Sequence, residues 1–158
     1  MNYTIRKAKT SDIKDINNFL TRLIRDEKQY DDNINENCII YSFYENIIHD
    51  DKNCILVVEE NNKIIGYLYG FIQNNGDTYI NDVAQLDTIF IDEKYRKLGI
   101  GNALIEEFKK WTKKQHVKYI ELKVCNNNVN AISLYKKIGF VDTKTIMSLE
   151  LENIDFSD

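Results

Sequence analysis

Residues 85–111 read QLDTIFIDEKYRKLGIGNALIEEFKKW, and this stretch decides the fold. Its first residues predict a buried strand, because apolar side chains crowd the run that ends at Ile91. A tight loop over residues 96–101 follows the strand. An amphipathic helix with apolar residues at helical spacing follows the loop. The order strand, glycine-containing loop and helix indicates a site that binds phosphate groups at the start of the helix.

The glycines of this loop suit an anionic ligand. Gly99 and Gly101 have no Cβ, so the backbone can turn sharply and phosphate oxygens can approach its N–H groups. The first N–H groups of a helix have no intrahelical partner, and the helix dipole favours an anion there. Arg96 and Lys97 add positive charge. The loop is neither a Walker A loop nor a three-glycine dinucleotide fingerprint, and a plain tight turn is the alternative.

The bulk properties of the chain exclude several classes of protein. Its 158 residues have the length of one domain, which we expect to span residues 1–158. The net charge of −4 argues against a nucleic-acid partner. No apolar run suits a membrane span or a signal peptide, so we expect no membrane partner and a cytoplasmic location. The three cysteines and two histidines lack metal-site spacing, so no metal is expected.

The remaining sequence predicts an α/β protein with a mixed sheet. Gly66 and Gly70 lie inside one predicted strand, where glycine permits a bulge or a close backbone neighbour. Helices are expected after Thr10, over 38–48, after Gly99 and from the Asn126–Asn128 cluster to Ile138; strands are expected at 3–8, 54–60, 63–73, 79–91, 118–125 and 140–151.

A second motif follows the predicted strand at 118–125. Residues 128–140 read NVNAISLYKKIGF, in which Gly139 stands at the expected helix cap. The pair R-x-x-G-x-G over 96–101 and N-x-x-A-x-x-L-Y-x-K-x-G-F over 128–140 closely resembles the GNAT family of N-acetyltransferases. The resemblance is strong over residues 85–140. Over residues 3–84 it rests on the order of strands and helices alone.

The resemblance implies a fold and a cofactor. The GNAT fold is a mixed, mostly antiparallel sheet of about six or seven strands flanked by about four helices. Its fourth and fifth strands splay apart, and the pantetheine arm of acetyl-CoA lies between them. The residues expected by this resemblance to bind acetyl-CoA are Ile89, Phe90, Ile91, Arg96, Lys97, Leu98, Gly99, Ile100, Gly101, Asn102, Asn128, Ala131 and Tyr135.

Acetyl transfer to an amine needs two proton movements. The ammonium must lose a proton before it attacks, and the departing thiolate must gain one. Tyr135 matches the family tyrosine near the thioester sulfur, and a phenol with a pKa of about 10 resembles a thiol. Alternatively, Tyr135 only packs between helix and sheet. Asp87 is expected either to accept the amine proton through a water or only to hold the ammonium. Alternatively, Asp87 is simply a polar residue on an open face of the sheet.

The acceptor is expected to be a small cationic amine, such as a polyamine or an aminoglycoside. Residues 26–51 contain eight acids and one lysine, and tyrosine faces attract cations. The candidate substrate residues are Glu27, Tyr30, Asp31 and Tyr41. A solvated surface explains the same residues equally well. Acetylation of a protein lysine or N-terminus, and a non-catalytic acetyl-CoA-binding module, stay open as alternatives.

The C-terminal part departs from the usual family pattern. Many GNAT domains have two strands after the Gly-Phe motif, whereas residues 141–153 suffice for one long strand. This leaves the far wall of the acceptor pocket undefined. A partner subunit supplies that wall in some members of the family, so a homodimer is one expected arrangement. Neither the acceptor amine nor the oligomeric state follows from the sequence.

Overall fold

A five-stranded sheet forms the centre of the part of the chain that the computed structural model describes, residues 1–151. Its strands are β1 (Thr4–Lys7), β2 (Asn53–Glu60), β3 (Lys63–Gln73), β4 (Val83–Ile91) and β5 (Tyr119–Glu121). The α-helices are α1 (Ile13–Glu27), α2 (Ile100–Lys114) and α3 (Val129–Ile138). No helix in residues 1–151 is both long enough and apolar enough to cross a membrane.

The strands lie in chain order, from β1 at one edge to β5 at the other. Neighbours are antiparallel except β4 and β5, which are parallel. β5 pairs only with the start of β4, from Val83 opposite Tyr119 to Gln85 opposite Glu121. Within the described part of the chain, residues 86–91 of β4 therefore have no strand partner on that side. The predicted splay between the fourth and fifth strands is confirmed.

Each face of the sheet packs against a different helix. On one face, Ile16 and Phe19 of α1 join a buried cluster with Tyr67 of β3 and Phe90 of β4. On the other face, α2 contributes a cluster centred on Phe108, which is fully buried. The 3.6-residue spacing of apolar positions in α1 and α2 places one side of each helix on the sheet. The predicted mixed α/β architecture is confirmed.

The predicted helix over residues 38–48 is wrong. Only a short 3₁₀ turn, Tyr44–Asn46, forms in this segment. Side chains bind the backbone N–H groups that a helix would use: Thr21 Oγ1 accepts from Ile40 N at 2.9 Å, and Glu45 Oε2 accepts from Phe43 N at 2.9 Å. β-branched and aromatic residues also have modest helix propensity. The segment therefore packs against α1 largely without regular secondary structure.

The predicted C-terminal strand is also wrong for the residues that the structure describes. Residues 140–151 form no strand, and residues 152–153 lie outside the described part. The segment has no β-ladder partner, and Met147 and Leu149 are 89% and 84% exposed. The strand expected at 118–125 is shorter, and the strand expected from 79 begins at Val83. The described residues thus contain five strands and three α-helices, fewer than expected.

The start of α1 is fixed by a carboxylate that should make stability depend on pH. Asp12 accepts hydrogen bonds from Arg6 Nη1 at 2.7 Å, Arg6 Nη2 at 3.1 Å and Lys9 N at 2.7 Å. The Arg6 bond is the main cause that holds the pKa of Asp12 below its usual range. A lowered folded-state pKa means that this stabilisation is present above about pH 4 and is lost as the pH falls further.

We expect Asp12→Asn to lower the free energy of unfolding at pH 7 by about 1.5–3 kcal/mol, the range for a hydrogen bond to a charged group. The difference from the wild type should shrink as the pH falls below about 4, where wild-type Asp12 also loses its charge. Urea unfolding at several pH values measures both effects. Asp15→Asn, at an exposed acid one turn away, is the control. An equal loss from both variants would contradict the role of Asp12.

Candidate active site

A β-bulge in β4 positions Asp87. Thr88 pairs with Tyr69 of β3 and Leu86 pairs with Gly70, so Asp87 has no partner on that strand. Ala84 and Leu86 consequently belong to the α2 cluster, whereas Phe90 belongs to the α1 cluster. A bulge re-aims side chains in this way. The Asp87 side chain is exposed and accepts a hydrogen bond from Thr88 Oγ1 at 2.9 Å.

Buried tyrosines border Asp87 on the α1 face of the sheet. The hydroxyls of Tyr44 and Tyr67 lie 3.0 Å apart, and both side chains are fully buried. Burial raises the pKa of both phenols, and the charge of Asp87 raises them further. Burial and then Asp87 raise the pKa of Tyr69 to about 12. These phenols therefore stay neutral beside the carboxylate. Sequence reasoning did not single out Tyr67 and Tyr69, although both lie on one predicted strand, two residues apart.

The loop before α2 offers free backbone donors. Gly99, the N-cap residue of α2, has φ +80° and receives no side-chain cap. Lys97 has φ +62°, a conformation that costs a non-glycine residue roughly 1–2 kcal/mol. Among residues 1–151, no backbone carbonyl accepts from the N–H groups of residues 97–99. Strain and unpaired donors in one loop indicate a ligand site.

Gly101 faces the cleft between β4 and α3. A Cβ at this position would meet only Ile89 Cδ1 and Leu134 Cδ2, both at 3.8 Å, which is an ordinary contact distance. Packing inside the chain therefore does not require glycine at residue 101. The space beside Gly101 is available to a ligand bound at the start of α2.

The side chain of Arg96 turns away from this cleft and toward α1. Its Nε donates to Ile91 O at 2.9 Å, and its guanidinium lies 5.5 Å from the centre of the Phe90 ring. Arg96 Nη2 also lies 3.6 Å from Asp26 Oδ2. Exposed ion pairs of this kind contribute little stability, so the contact shows only that the end of α1 lies beside the loop before α2.

The C-terminal end of α1 reaches both motif loops. Arg22 Nη1 lies 3.1 Å from Asp92 Oδ2, next to the loop that contains Arg96. Just beyond the helix, Tyr30 O accepts a hydrogen bond from Asn127 Nδ2 at 3.3 Å, next to the start of α3. These contacts hold Glu27, the last residue of α1, near the cleft between the two loops.

Glu27 is near enough to other acids and to Tyr135 for their charges to affect one another. The residue is exposed, yet the surrounding protein desolvates its carboxylate and raises its pKa. The charges of Asp87, Asp31 and Asp26 raise this pKa further. The structure thus brings Glu27, Asp87 and Asp31 into one acidic zone.

Tyr135 lies on α3, opposite that acidic zone. Its ring packs edge-on against Phe140, with 5.7 Å between ring centres. Burial, followed by the charge of Glu27, raises the pKa of Tyr135 to about 12. The phenol of Tyr135 therefore stays protonated at neutral pH. The helix that carries it begins at Asn128, whose side chain accepts from Ala131 N at 3.3 Å, and ends at Gly139, which has φ +110°.

Tyr41 is the predicted substrate residue that the structure places elsewhere. Its side chain is 81% exposed, and its carbonyl accepts from Asn17 Nδ2 at 3.4 Å. It lines a surface depression on the opposite side of α1, together with Lys14 and Arg25. We therefore leave Tyr41 out of the acidic zone near the cleft.

Comparison with known proteins agrees with this geometry. The model of the Acetyltransferase (GNAT) family matches residues 15–140. The chain belongs to the GNAT acetyltransferase family. The splayed strands, the uncapped start of α2 and Tyr135 all fall within the matched region.

Three relatives illustrate the range of the family. An uncharacterized N-acetyltransferase of Methanocaldococcus jannaschii is 29% identical over 104 residues, 66% of this chain and 46% of that protein. An N-alpha-acetyltransferase of Sulfurisphaera tokodaii is 29% identical over 152 residues, 91% of this chain and 83% of that protein. Spermine/spermidine N(1)-acetyltransferase of Bacillus subtilis is 34% identical over 82 residues, which are 49% of this chain and 52% of that protein. The chain spans about half the length of the first and third relatives.

Solved structures share the fold. A tetramutant of the BH1408 protein from Bacillus halodurans superposes with a TM-score of 0.82 at 24% identity, covering 94% of this chain and 99% of that chain. AAC(6′)-Iy in complex with the bisubstrate analog CoA-S-monomethyl-acetylneamine superposes with a TM-score of 0.72 at 16% identity. The match covers 97% of this chain and 100% of that chain. At these identities the likeness concerns the fold alone.

Proposed function

We propose that this GNAT protein transfers the acetyl group of acetyl-CoA to a primary amine of a small cationic molecule. The observation that carries the proposal is the position of Tyr135 and the acidic residues Glu27 and Asp87 around the cleft beside the start of α2. An acid zone attracts an ammonium group, and a neutral phenol supplies a proton. Both are needed for amine acetylation.

The described residues fit acetyl-CoA. The N–H groups of residues 97–102 would bind the pyrophosphate, because α2 has no side-chain cap and Gly101 leaves room. The unpaired edge of β4 at residues 89–91 would bind the pantetheine arm, with Asn128 and Ala131 beside it. When bound there, acetyl-CoA supplies an activated acetyl thioester. The Arg96 side chain contacts α1, so backbone groups and Lys97 would carry the phosphate contact.

Gly101→Ala tests this placement of the pyrophosphate. The added methyl group fits the protein alone, so we expect an unchanged or slightly higher Tm. It would occupy the space of the ligand, so the Kd for acetyl-CoA in calorimetry should rise about tenfold or more, equivalent to about 1.4 kcal/mol. Lys113→Ala, in the last turn of α2, is the control and should bind normally. An unchanged Kd for Gly101→Ala would show that the pyrophosphate lies elsewhere.

The two proposed catalytic groups have different tasks. Tyr135 keeps its proton at neutral pH because its pKa is about 12, and it can give that proton to the departing thiolate sulfur. Asp87 has a carboxylate that the bulge exposes and that Thr88 orients. Its task is to hold the substrate ammonium beside the thioester.

The acceptor is proposed to be polyamine-like or aminoglycoside-like. Glu27, Asp31 and Tyr30 at the end of α1 offer negative charge and an aromatic face to such a cation. One relative is named for spermine and spermidine, and one structural neighbour was solved with an aminoglycoside analog. The N-alpha-acetyltransferase relative covers 91% of the chain, which favours a protein N-terminus as the second candidate.

A panel of acceptors distinguishes these functions. Thiol release from acetyl-CoA would be measured with spermidine, neamine, free amino acids, lysine peptides and peptides with free N-termini. Turnover of spermidine or neamine supports the proposal. Turnover of peptide N-termini alone overturns it in favour of the second candidate. Acetyl-CoA binding without turnover of any amine indicates a non-catalytic module.

A homodimer is proposed as the way in which the C-terminal segment is covered. Met147, Leu149 and Leu151 alternate along a segment that forms no strand within residues 140–151, and all three are exposed. A second copy of the chain would bury these side chains against its own sheet edge at β5. Light scattering on the whole chain should give twice the monomer mass. A monomer at all concentrations would contradict this arrangement.

A further inference from the structure

We propose that Glu121 forms a second ammonium-binding subsite beside the acceptor site, so that the preferred acceptor carries two separated ammonium groups. In the chain without an acceptor, the ammonium of Lys144 occupies this subsite. The inference rests on the proposed amine acetylation and deepens it, because it names the feature of the substrate that the site selects. One ammonium of the acceptor would be held by Asp87, and the other would displace Lys144 from Glu121.

Glu121 lies on the same face of the sheet as Asp87. Ile120 of β5 and the following Leu122 pack into the α2 cluster, so Glu121 between them points to the α1 face. Its register partner on β4 is Gln85, whose Nε2 donates to Glu121 Oε2 at 3.5 Å. Asp87 follows Gln85 by two residues and borders the buried tyrosines of the α1 face. Strand spacing therefore puts the backbones of Glu121 and Asp87 roughly 8 Å apart.

The groups around Lys144 have the chemistry of an ammonium site. Lys144 Nζ lies 3.1 Å from Glu121 Oε1 and 3.4 Å from Glu121 Oε2, so it contacts both carboxylate oxygens. The same nitrogen lies 5.4 Å from the centre of the Tyr79 ring. A carboxylate and the face of an aromatic ring both attract ammonium groups. The chain's own lysine thus shows which ligand chemistry the Glu121 subsite accepts.

The fold holds Glu121 more firmly than it holds Lys144. The side chain of Glu121 is 33% exposed and belongs to β5, whereas the side chain of Lys144 is 60% exposed. Lys144 lies in the segment 140–151, which forms no strand. Exposed ion pairs contribute little stability, so exchanging one ammonium for another at Glu121 costs little. A ligand can therefore replace Lys144 while Glu121 stays in place.

A purely structural ion pair is the alternative, and α2 provides an example. Glu107 Oε1 and Lys110 Nζ lie 2.6 Å apart on one helix, at the three-residue spacing that is common on helix surfaces. The pair of Glu121 and Lys144 instead joins β5 to the C-terminal segment. It lies on the face that contains Asp87, and it includes the Tyr79 ring. Its position therefore assigns it to the acceptor site.

Two separated carboxylates favour an acceptor with two positive charges. A monoamine held by Asp87 leaves Lys144 on Glu121 and gains nothing there. A diamine places its second ammonium on the Glu121 carboxylate and beside the Tyr79 ring. It must first displace Lys144, which reduces its apparent affinity by the fraction of molecules in which Glu121 is free. Polyamines and aminoglycosides both carry separated ammonium groups of this kind.

The first test compares putrescine with butylamine, which has the same carbon chain and a single ammonium group. The measured quantity is kcat/KM for the diamine divided by kcat/KM for the monoamine. We expect this ratio to fall about tenfold in Glu121→Gln, which loses the negative charge. It should rise about threefold in Lys144→Met, which removes the competing ammonium. A structural ion pair would move both variants in the same direction, and that result, or an unmoved ratio in Glu121→Gln, would overturn the proposal.

The matched controls are Glu107→Gln and Lys110→Met, which break the ion pair of α2. Both should keep the ratio within about twofold of the wild type. Repeating the comparison with spermidine and with neamine distinguishes a polyamine from an aminoglycoside as the source of the two ammonium groups. A lower kcat/KM for either compound in Glu121→Gln supports the subsite, and a loss for neither compound overturns it.

The second test measures binding and needs no turnover. Calorimetry on the whole chain with saturating CoA should give a Kd for putrescine that rises about tenfold in Glu121→Gln and falls in Lys144→Met. If these shifts occur and the wild type acetylates no amine, the proposed function fails and the subsite stands as a diamine-binding site. If the wild type acetylates amines and the shifts are absent, only the subsite fails.

Discussion

Tyr135→Phe is expected to lower kcat by about 100- to 1,000-fold, the typical contribution of a positioned proton donor. The variant removes one hydroxyl and keeps the ring, so the edge-on contact with Phe140 should survive. The wild-type phenol holds its proton at neutral pH because burial and Glu27 raise its pKa to about 12. Without that proton the thiolate must leave unprotonated or wait for water.

Two measurements separate this chemical role from packing. Calorimetry should give an acetyl-CoA Kd for Tyr135→Phe within about twofold of the wild type, because the variant keeps the aromatic ring and loses only one hydroxyl. Thiol release at saturating amine gives kcat. Tyr119→Phe, the same change at a half-exposed residue of β5, is the matched control. A kcat within twofold of the wild type for Tyr135→Phe would show that the tyrosine only packs.

Gly70→Ala is expected to cause the largest loss of stability among the glycine variants. A Cβ at residue 70 would overlap the ring of Phe108 and lie 2.6 Å from Gln85 O of β4. Phe108 is fully buried against the sheet and the carbonyl belongs to the backbone, so neither can move aside. Overpacking of this severity should cost about 3 kcal/mol. For a chain of this size that corresponds to roughly 6–12 °C in Tm.

Thermal and urea unfolding of Gly70→Ala, compared with Gly101→Ala, test the cause. Both variants add one methyl group, but the methyl group at residue 101 meets nothing nearer than 3.8 Å. Gly101→Ala should therefore unfold like the wild type. If both variants lose the same stability, the loss comes from glycine replacement in general and the contact of Gly70 with Phe108 is tolerated.

The fold was predictable where the sequence repeats a local pattern. The short apolar runs of β2 and β3, the helical spacing in α1 and α2 and the two glycine-containing motifs each depend on near neighbours. Gly70 inside β3 also predicted a bulge or a close neighbour, and the structure has both. The segment 38–48 failed because its backbone bonds to Thr21 and Glu45, contacts that no local pattern indicates.

The candidate site was only partly predictable for the same reason. Asp87 and Tyr135 stand at fixed positions in motifs, so a resemblance was enough to nominate them. The coupling of Glu27 to Tyr135 joins residues far apart in sequence and depends on how α1 is held against both loops. The strand expected at 140–151 is likewise absent, and no strand within residues 1–151 pairs with that segment.

The extra residue in β4 places Asp87 outside the regular pairing of the two strands. If Asp87 were deleted, Leu86 and Thr88 would become neighbours and could keep their partners Gly70 and Tyr69, so residues 88–91 would stay in the cores that they occupy now. The aromatic ring of Phe90 would still point toward α1. The bulge therefore adds one exposed side chain to the strand without altering the packing on either side of it, so residue 87 can change while the sheet around it stays the same.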